Sequence, residues 1–465
     1  MPAPYDVLIL GAGPGGYVAA IRARQLGLSV GLIERTHLGG ICLNWGCIPT
    51  KVMLKGADVL NTANHAERFG LEALSPVIDP VRLIARAVEV SGQLSQGVGF
   101  LLKQNGVDLI WGQAKLAAPG QVQVTASDTH APRGSLGPGI YEAPHVILAT
   151  GARPRVLPGL EPDGHLVWTF FQALRPPSIP ARLVIVGSGA IGVEFASIYA
   201  AMGTAVTLVE LAPRILPGED AEIAGLMAKA LQKRGIAIHT SASVARMDKV
   251  DNAVTVHLSD GAVISCDRLL SAVGVVANVD GLEVTGVTLK DGAVRADAMG
   301  RTSHPGLYAI GDVAGPPMLA HMAEHDGIAC VEAIAGRTRA DTHAPMPACI
   351  YANPQIASVG LTEDAAIAAG ITPRMGRFSM RGNGKALVVG APDGLVKCVF
   401  DAATDRLIGA QIIGPDASEL IQGMTIAVTL GATMAQLAGV IFPHPTLSEA
   451  LHEAVLAAGD GAIHA

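Results

Sequence analysis

The chain has 465 residues, too many for one hydrophobic core, and its length corresponds to roughly three domains. Half of the residues are hydrophobic, 16% are charged and 4% aromatic, with 55 glycines, a composition of tightly packed α/β layers joined by close turns and not of a disordered chain. The net charge of −7 and the lack of any run of Lys and Arg exclude a phosphate-neutralising surface, so nucleic acid is not an expected partner. Six cysteines are too few for a disulfide scaffold and suit a reducing, cytoplasmic compartment, where a disulfide is catalytic or redox-sensing.

The first element, "YDVLILGAGPGGYVAAI", is apolar, but it lacks a cationic flank, carries Asp6 and is interrupted by four glycines and a proline. It predicts a buried strand and turn, and no membrane partner is expected. Continued to Glu34, it reads strand, G-x-G-x-x-G, Ala-rich helix, Gly-led turn, second strand. The same order returns in "LVIVGSGAIGVEFASIYAAMGTAVTLVE". Gly11, Gly13, Gly16 and Glu34 map at one constant spacing onto Gly187, Gly189, Gly192 and Glu210. One such match is weak; two in identical register predict two dinucleotide-binding βαβ units. In each, the first glycine allows a sharp turn, the second a close approach of pyrophosphate to the helix entrance, and the third close packing of helix on sheet. Each glutamate stands where it can accept hydrogen bonds from a ribose diol. A tight βα turn without ligand is the plainer reading of either set alone. At Glu210 a carboxylate repels a 2′-phosphate, so the second unit is expected to take NAD rather than NADP, with Arg214 the one cation nearby.

Behind the first unit, "GGICLNWGCIPTK" sets Cys42 and Cys47 five positions apart. In an ideal helix such positions are separated by about 140° and lie beyond the ~7 Å reach of a disulfide, so a bond needs irregular backbone between them. Asn44 and Gly46 both tolerate left-handed turns and are the expected source of it. Pro49 suits the first turn of a helix running through "TKVMLKGADVL", which leaves Cys47 at a helix entrance that favours thiolate. The pair reads as a redox disulfide; a structural zinc would need two further ligands, none of which lies nearby, and inert core thiols are the third reading. No metal site is expected. Cys266, Cys330, Cys349 and Cys398 stand singly in apolar patterns, as buried small hydrophobes do.

"VILATGARP" and "LYAIGDVAG" are apolar strands ending in Gly-rich loops; Asp312 in the second reads equally as a turn residue or a ligand contact. Around Pro345 and Pro347, after "GRTRADTHA", the pattern changes to antiparallel strands and a long Ala-rich helix from Ser418 onward, an α+β domain. In "FPHPTLSEALHE", His444 is a candidate base, while Thr446 and Glu449 also fit a capping box.

Together, "GGICLNWGCIPTK", the two glycine units, "YAIGDV" and "FPHPTLSEALHE" resemble the FAD-dependent pyridine nucleotide-disulfide oxidoreductases over nearly the whole chain. Within that family, "GDVAGPPMLAHMAEHDG", "YANPQIASVG" and "HPTLSEALHEAV" look most like the branch that oxidises dihydrolipoamide, which serves 2-oxo acid dehydrogenase complexes or glycine cleavage. The resemblance implies an α/β fold of two Rossmann-like domains and a C-terminal α+β dimerisation domain. The boundaries follow as 1–148 for FAD and the redox disulfide, 149–274 for NAD, 275–344 for a central segment completing the FAD side, and 345–465 for the interface.

The resemblance also implies the site. FAD would be held by Gly11, Gly13, Gly16, Glu34, Lys51, Ala114, Thr150, Gly151, Asp312, Met318, Leu319, Ala320 and His321. NAD would be held by Gly187, Gly189, Ile191, Gly192, Glu194, Glu210 and Gly274, with Lys51 partnering Glu194 beneath the flavin. Cys42 becomes the thiol that exchanges with substrate, Cys47 the flavin-facing one, and His444 with Glu449 the base dyad, supplied to the other subunit of a homodimer. A lipoyl-bearing acyltransferase core or lipoyl carrier protein is the implied partner. Where many relatives show A-x-G-R-x-P-N, this chain reads "SAVGVVAN", with Val275 in place of the arginine. Two rival functions fit the same motifs: a flavin disulfide reductase acting on another disulfide or a quinone, and a non-catalytic flavin-binding scaffold.

Overall fold

The computed structural model describes residues 4–72, 75–280, 282, 286–337 and 344–464. It divides into two compact units, one of Met1–Val52, Ile84–Arg155 and Val275–His343, the other of Met53–Leu83, Val156–Gly274 and Ala344–Ala465.

In the first unit, the continuous apolar runs become a five-stranded parallel sheet in the order Leu307–Ala309, His145–Leu148, Val7–Leu10, Val30–Glu34, Asp108–Trp111. Every residue of Val7–Leu10 and Val30–Glu34 is buried, as a parallel sheet covered on both faces requires. On one face the helix Pro14–Gln25 meets the helix Ala320–Ile334 through small residues: a Cβ on Gly15 would lie 2.9 Å from the Ala323 oxygen, and one on Gly327 2.7 Å from the Gly15 oxygen. Three antiparallel strands, Gln113–Ala118, Gln121–Thr125 and Gly139–Glu142, contribute Leu116, Val122, Val124 and Tyr141 to the core on the other face. The predicted strand and turn at the chain's start are both present.

The second unit repeats the plan in its first half, with the parallel order Ala237–His239, Ala205–Val209, Arg182–Val186, Arg268–Ser271, Val167–Trp168 and the helix Ala190–Ala201 after the glycine loop. Its second half is an antiparallel sheet, Ala348–Ile350, Gln355–Gly360, Leu407–Gly414, Leu395–Asp401, Pro373–Ser379, packed against the helices Ala417–Thr429 and Glu449–Ala457. The single long helix expected from Ser418 onward is instead three: Ala417–Thr429, Met434–Ala438 and Glu449–Ala457. Gly431, at φ +62°, ends the first, a Thr433–Gln436 capping box opens the second, and Pro443 and Pro445 bar continuation before the third. Of the expected boundary "GRTRADTHA", residues 338–343 lie outside the described residues.

Within this unit one ion cluster ties the antiparallel sheet to the nucleotide-type half. Lys397, 2% exposed, places its Nζ 2.9 and 2.8 Å from the two Asp220 oxygens and 3.0 Å from Glu222. Asp220 in turn caps the helix Ala221–Lys233 by accepting from the Glu222 and Ile223 amides. Burial opposes ionisation of Glu222, but hydrogen bonds from Arg377 and Lys397 outweigh it and hold its carboxyl below the usual range. Lys397→Met should therefore leave two carboxylates without their buried counter-charge, at a cost of about 3 kcal/mol. Denaturant unfolding is expected to show a lower midpoint; an unchanged midpoint would mean that the cluster contributes nothing net.

Candidate active site

The two glycine loops have nearly the same geometry. Gly11 and Gly187 adopt φ +106° and +96°, and a Cβ there would lie 2.3 Å from the Ala149 oxygen and 2.5 Å from the Ala272 oxygen. A Cβ on Gly16 or Gly192 would meet the oxygen of Gly11 or Gly187 at 1.9 or 2.0 Å, which is what lets each helix start against its own strand. The middle glycines differ. No protein atom lies within 4 Å of a Cβ built on Gly189, and on Gly13 only the Gly40 Cα, at 4.0 Å. The protein's own packing does not demand glycine at these two positions, so the open space above each helix entrance fits a pyrophosphate approaching the backbone.

Glu34 and Glu210 brace these loops. Glu34 Oε2 accepts the Ala12 amide at 2.9 Å, and its Oε1 accepts those of Arg35 and Thr36 at 2.8 Å. Glu210 Oε2 accepts the Ser188 amide and hydroxyl at 2.9 and 2.7 Å, and its Oε1 the Ala212 amide. Each carboxylate thus joins the end of the second strand to the first loop, with acceptor capacity left for a ribose diol. Ala12 and Ser188, the variable residues inside each G-x-G, supply the donors; sequence reading passed over them because backbone amides carry no sequence signal. Arg214 donates to the Pro217 and Glu219 carbonyls of its own loop, which leaves the Glu210 end without a cation committed to a 2′-phosphate.

The remaining expected FAD residues fall within the first unit. Ala114 lies on the strand Gln113–Ala118, Lys51 on the helix Cys47–Ala63, and Met318, Leu319, Ala320 and His321 at the entrance of Ala320–Ile334. Thr150 and Gly151 are stapled to Asn278, which accepts from Thr150 Oγ1 at 2.9 Å and donates to the Thr150 and Gly151 carbonyls at 2.9 Å each. Asn278 closes the "SAVGVVAN" segment, whose Val275–Ala277 strand pairs with Ala152–Pro154; its structural role was not foreseen. Asp312 sits in the short 3-10 turn Gly311–Ala314, and burial raises its carboxyl pKa. Among the described residues nothing hydrogen-bonds that carboxyl, so it fits a polar ligand group rather than the backbone-bonded turn. Ile191 and Gly192 open the helix Ala190–Ala201, Glu194 lies buried on it and accepts the Tyr351 amide at 3.0 Å, and Gly274 at φ +93° faces open space.

The cysteine segment is built differently from the expectation in one respect. Gly40–Trp45 is a short helix, and Asn44 is helical within it, its amide donating to the Leu38 and Gly40 carbonyls at 3.0 and 2.9 Å. The irregularity comes from Gly46 alone, after which Cys47 opens the helix Cys47–Ala63 with Pro49 in its first turn, as foreseen. Both cysteines are free thiols, and their side chains hydrogen-bond each other. That bond, and then burial, push the Cys42 thiol well above its ordinary value, while Lys51 acts in the opposite direction. The segment is seated on the nucleotide loop: a Cβ on Gly40 would come within 2.8 Å of the Gly13 Cα, and the Gly39 amide donates to the Ala12 carbonyl at 2.8 Å. Of the four single cysteines, Cys266, Cys330 and Cys398 are buried as expected, with burial raising Cys266 to about 11 and Cys398 to about 12. Cys349 is only half-buried, at the margin of the C-terminal core.

In the second unit, His444 Nδ1 lies 2.8 Å from Glu449 Oε1, while Glu449 Oε2 accepts the Thr446 amide at 2.8 Å. Glu449 thus holds both the imidazole and the Thr446 amide, but the expected capping box does not open the last helix: its N-cap is Ser448, without a side-chain cap bond, and Thr446 Oγ1 turns to the Pro443 carbonyl. The Thr446 amide first, and then His444, hold the Glu449 carboxyl below its usual range. An ionised Glu449 can only accept, so the imidazole carries its proton on Nδ1 and leaves Nε2 as a base. His444 is 79% exposed, an open position for a base.

The family model for pyridine nucleotide-disulphide oxidoreductases matches residues 5–327, and that for the dimerisation domain of the same family matches residues 346–455. The chain is 52% identical to the dihydrolipoyl dehydrogenase of Rhizobium etli, with 98% of each chain covered, and 48% identical to that of Zymomonas mobilis, with 99% of each covered. Among solved structures it is similar to LpdA from Mycobacterium tuberculosis, at a TM-score of 0.89 and 29% identity, covering 97% of this chain and 98% of that one.

Two outcomes follow from this geometry. Gly13→Ala and Gly189→Ala should fold and lose affinity for their dinucleotides by about tenfold or more, whereas Gly16→Ala and Gly192→Ala should fail to fold, read by circular dichroism beside bound flavin and NAD titration. Because the folded Glu449 carboxyl is lowered, its ionised form stabilises the fold fully above the ordinary carboxylate range, and that contribution disappears as pH falls through the lowered value. The Tm gap between wild type and Glu449→Gln should close between pH 7 and pH ~3; a gap that widens on acidification would contradict the assignment.

Proposed function

This chain belongs to the pyridine nucleotide-disulphide oxidoreductases, and from that membership we infer its reaction: oxidation of a dihydrolipoyl dithiol to the cyclic disulfide, coupled to reduction of NAD⁺. The chain is an FAD-dependent oxidoreductase and acts as a homodimer. The observation that carries the assignment of the redox centre is the seating of the Cys42–Cys47 segment on the first glycine loop, Gly40 against Gly13, so that the thiol pair follows directly from the loop that would hold FAD. In this reading residues 1–148 and 275–344 serve FAD, 149–274 serve NAD, and 345–465 form the dimer interface.

FAD would be held by the first glycine loop, Glu34, Thr150, Gly151, Asp312 and the entrance of Ala320–Ile334 and would supply a two-electron acceptor; NAD⁺ would be held by the second loop and Glu210 as the final hydride acceptor. The thiol chemistry belongs to the chain itself. In the oxidised enzyme Cys42 and Cys47 are joined. His444 Nε2 takes a proton from one substrate thiol, and the resulting thiolate attacks Cys42 Sγ. The Cys42–Cys47 bond breaks, a mixed disulfide forms between substrate and Cys42, and Cys47 leaves as thiolate. The second substrate thiol then attacks the substrate sulfur of that bond, closes the dithiolane ring and passes its proton to the sulfur it displaces, releasing Cys42 as a thiol. One dithiol has been oxidised and one disulfide reduced. The reduced pair resembles the arrangement seen here, in which the Cys42 and Cys47 side chains hydrogen-bond each other. Glu449 fixes the imidazole tautomer and stabilises the imidazolium that forms after proton transfer.

The substrate is presented by a lipoyl-bearing acyltransferase core or lipoyl carrier protein, and the reaction takes place in the cytoplasm; the bacterial relatives and the sparse cysteines support both readings. Among the described residues no helix is long and apolar enough to cross a membrane.

A dimer in which His444 of one copy serves Cys42 of the other can be tested by complementation. Cys47→Ser and His444→Gln homodimers should each be inactive on dihydrolipoamide. Mixed dimers formed by co-expression with two different tags should regain about half of the wild-type turnover, since one of the two sites is then intact. If the base and the disulfide of one chain work together, the mixed dimer stays as inactive as its parents.

A further inference from the structure

We propose that His452 is a positioning residue for the His444–Glu449 pair, acting by fixing the segment that carries the base to the helix that carries its carboxylate. Helix Glu449–Ala457 presents Glu449 at its first position and His452 one turn later. The His452 Nε2 lies 3.0 Å from the Ala438 carbonyl oxygen; a carbonyl only accepts, so Nε2 holds the proton and donates. The same ring stacks on Phe442, with centroids 4.8 Å apart and planes 20° from parallel. Ala438 is the last residue of the helix Met434–Ala438, and Phe442 stands two residues before His444. One imidazole thus grips both ends of the connection leading to the base.

Among the described residues the connection is also held by the Val440 amide on the Leu437 carbonyl and by packing of Phe442 on the C-terminal core. Within the single chain Ile441 is 94% exposed and Val440 is also exposed. Beyond Phe442 the segment is held by the Thr446 hydroxyl on the Pro443 carbonyl, by the Asn383 amide on the Thr446 carbonyl, and by Glu449 on both His444 and the Thr446 amide. The nearby charges on the same helix are already matched, since Glu453 pairs with His464 at 2.7 Å. With His452 in place, both members of the dyad are referenced to a single helix. Without it, the approach of His444 to Glu449 is fixed less firmly, and misplacement of a base by a fraction of an ångström lowers the rate without touching cofactor binding.

The inference rests on His444 being the base, and that reading fails separately if His444→Gln keeps wild-type turnover. The test is made on the FAD-loaded dimer. His452→Leu should lower kcat for dihydrolipoamide oxidation about tenfold and shift the acid limb of the kcat profile to lower pH, in the direction shown by Glu449→Gln. Flavin content, KM for NAD⁺ and NADH-driven ferricyanide reduction, which bypasses the dithiol, should stay at wild-type values. His452→Gln, which keeps an N–H for Ala438, should recover part of the loss. In a Glu449→Gln background His452→Leu should cost less than about twofold more, because both act through His444. Equal losses with ferricyanide, full additivity with Glu449→Gln, or unchanged turnover would each overturn the proposal.

Discussion

Two thiols five residues apart can meet only if the helix between them is interrupted, and the interruption here is one residue long. At Gly46 the chain leaves one helix and enters the next, and a Cβ at that position would stand 3.2 Å from the Ile41 oxygen and 3.5 Å from the Cys42 Cα. A side chain there would crowd the Ile41 oxygen where the two helices meet, and across that break the Cys42 and Cys47 side chains hydrogen-bond each other. The same segment starts with Gly39 and Gly40, both in left-handed conformation, folded onto the first nucleotide loop. Redox pair and dinucleotide loop are therefore parts of one backbone arrangement, and the chemistry inherits its position from glycines rather than from polar contacts.

The two dinucleotide loops solve the same steric problem with the same parts. A first glycine turns where a neighbouring strand's carbonyl leaves no room, a third packs against the carbonyl of the first, and a glutamate from the next strand holds an amide of the loop. A Cβ on the middle glycine would meet no protein atom closer than 4.0 Å, and the space there would suit a ligand's phosphates. A buried lysine, Lys397, then ties the second of these halves to the antiparallel sheet of the C-terminal region, which also carries His444 and Glu449.

Much of this was legible in the sequence where function imposes an unusual residue at a fixed spacing. The paired G-x-G-x-x-G units with their glutamates, the cysteine pair before Pro49, and His444 with Glu449 all stand where the pattern placed them. What could not be read was set by side-chain choice between equivalent local options. Asn44 has the chemistry of a left-handed turn but spends its amide on two helix-entry carbonyls, so Gly46 breaks the helix alone. The Ala-rich run from Ser418 has helical periodicity throughout, yet Gly431 and the prolines flanking His444 divide it, and that division leaves His444 exposed. Asn278 and His452 act through contacts distant in sequence or through backbone carbonyls, for which a single sequence gives no sign.

The redox role of Cys42 and Cys47 can be measured directly by alkylating the denatured, oxidised holoprotein and mapping its peptides by mass spectrometry. Of the six cysteines, four should take the label and the peptides bearing Cys42 and Cys47 should remain cross-linked, with one equivalent of dihydrolipoamide per subunit, added without NAD⁺, opening that link. Labelling of all six in the oxidised protein, or a cross-link indifferent to dihydrolipoamide, would contradict it.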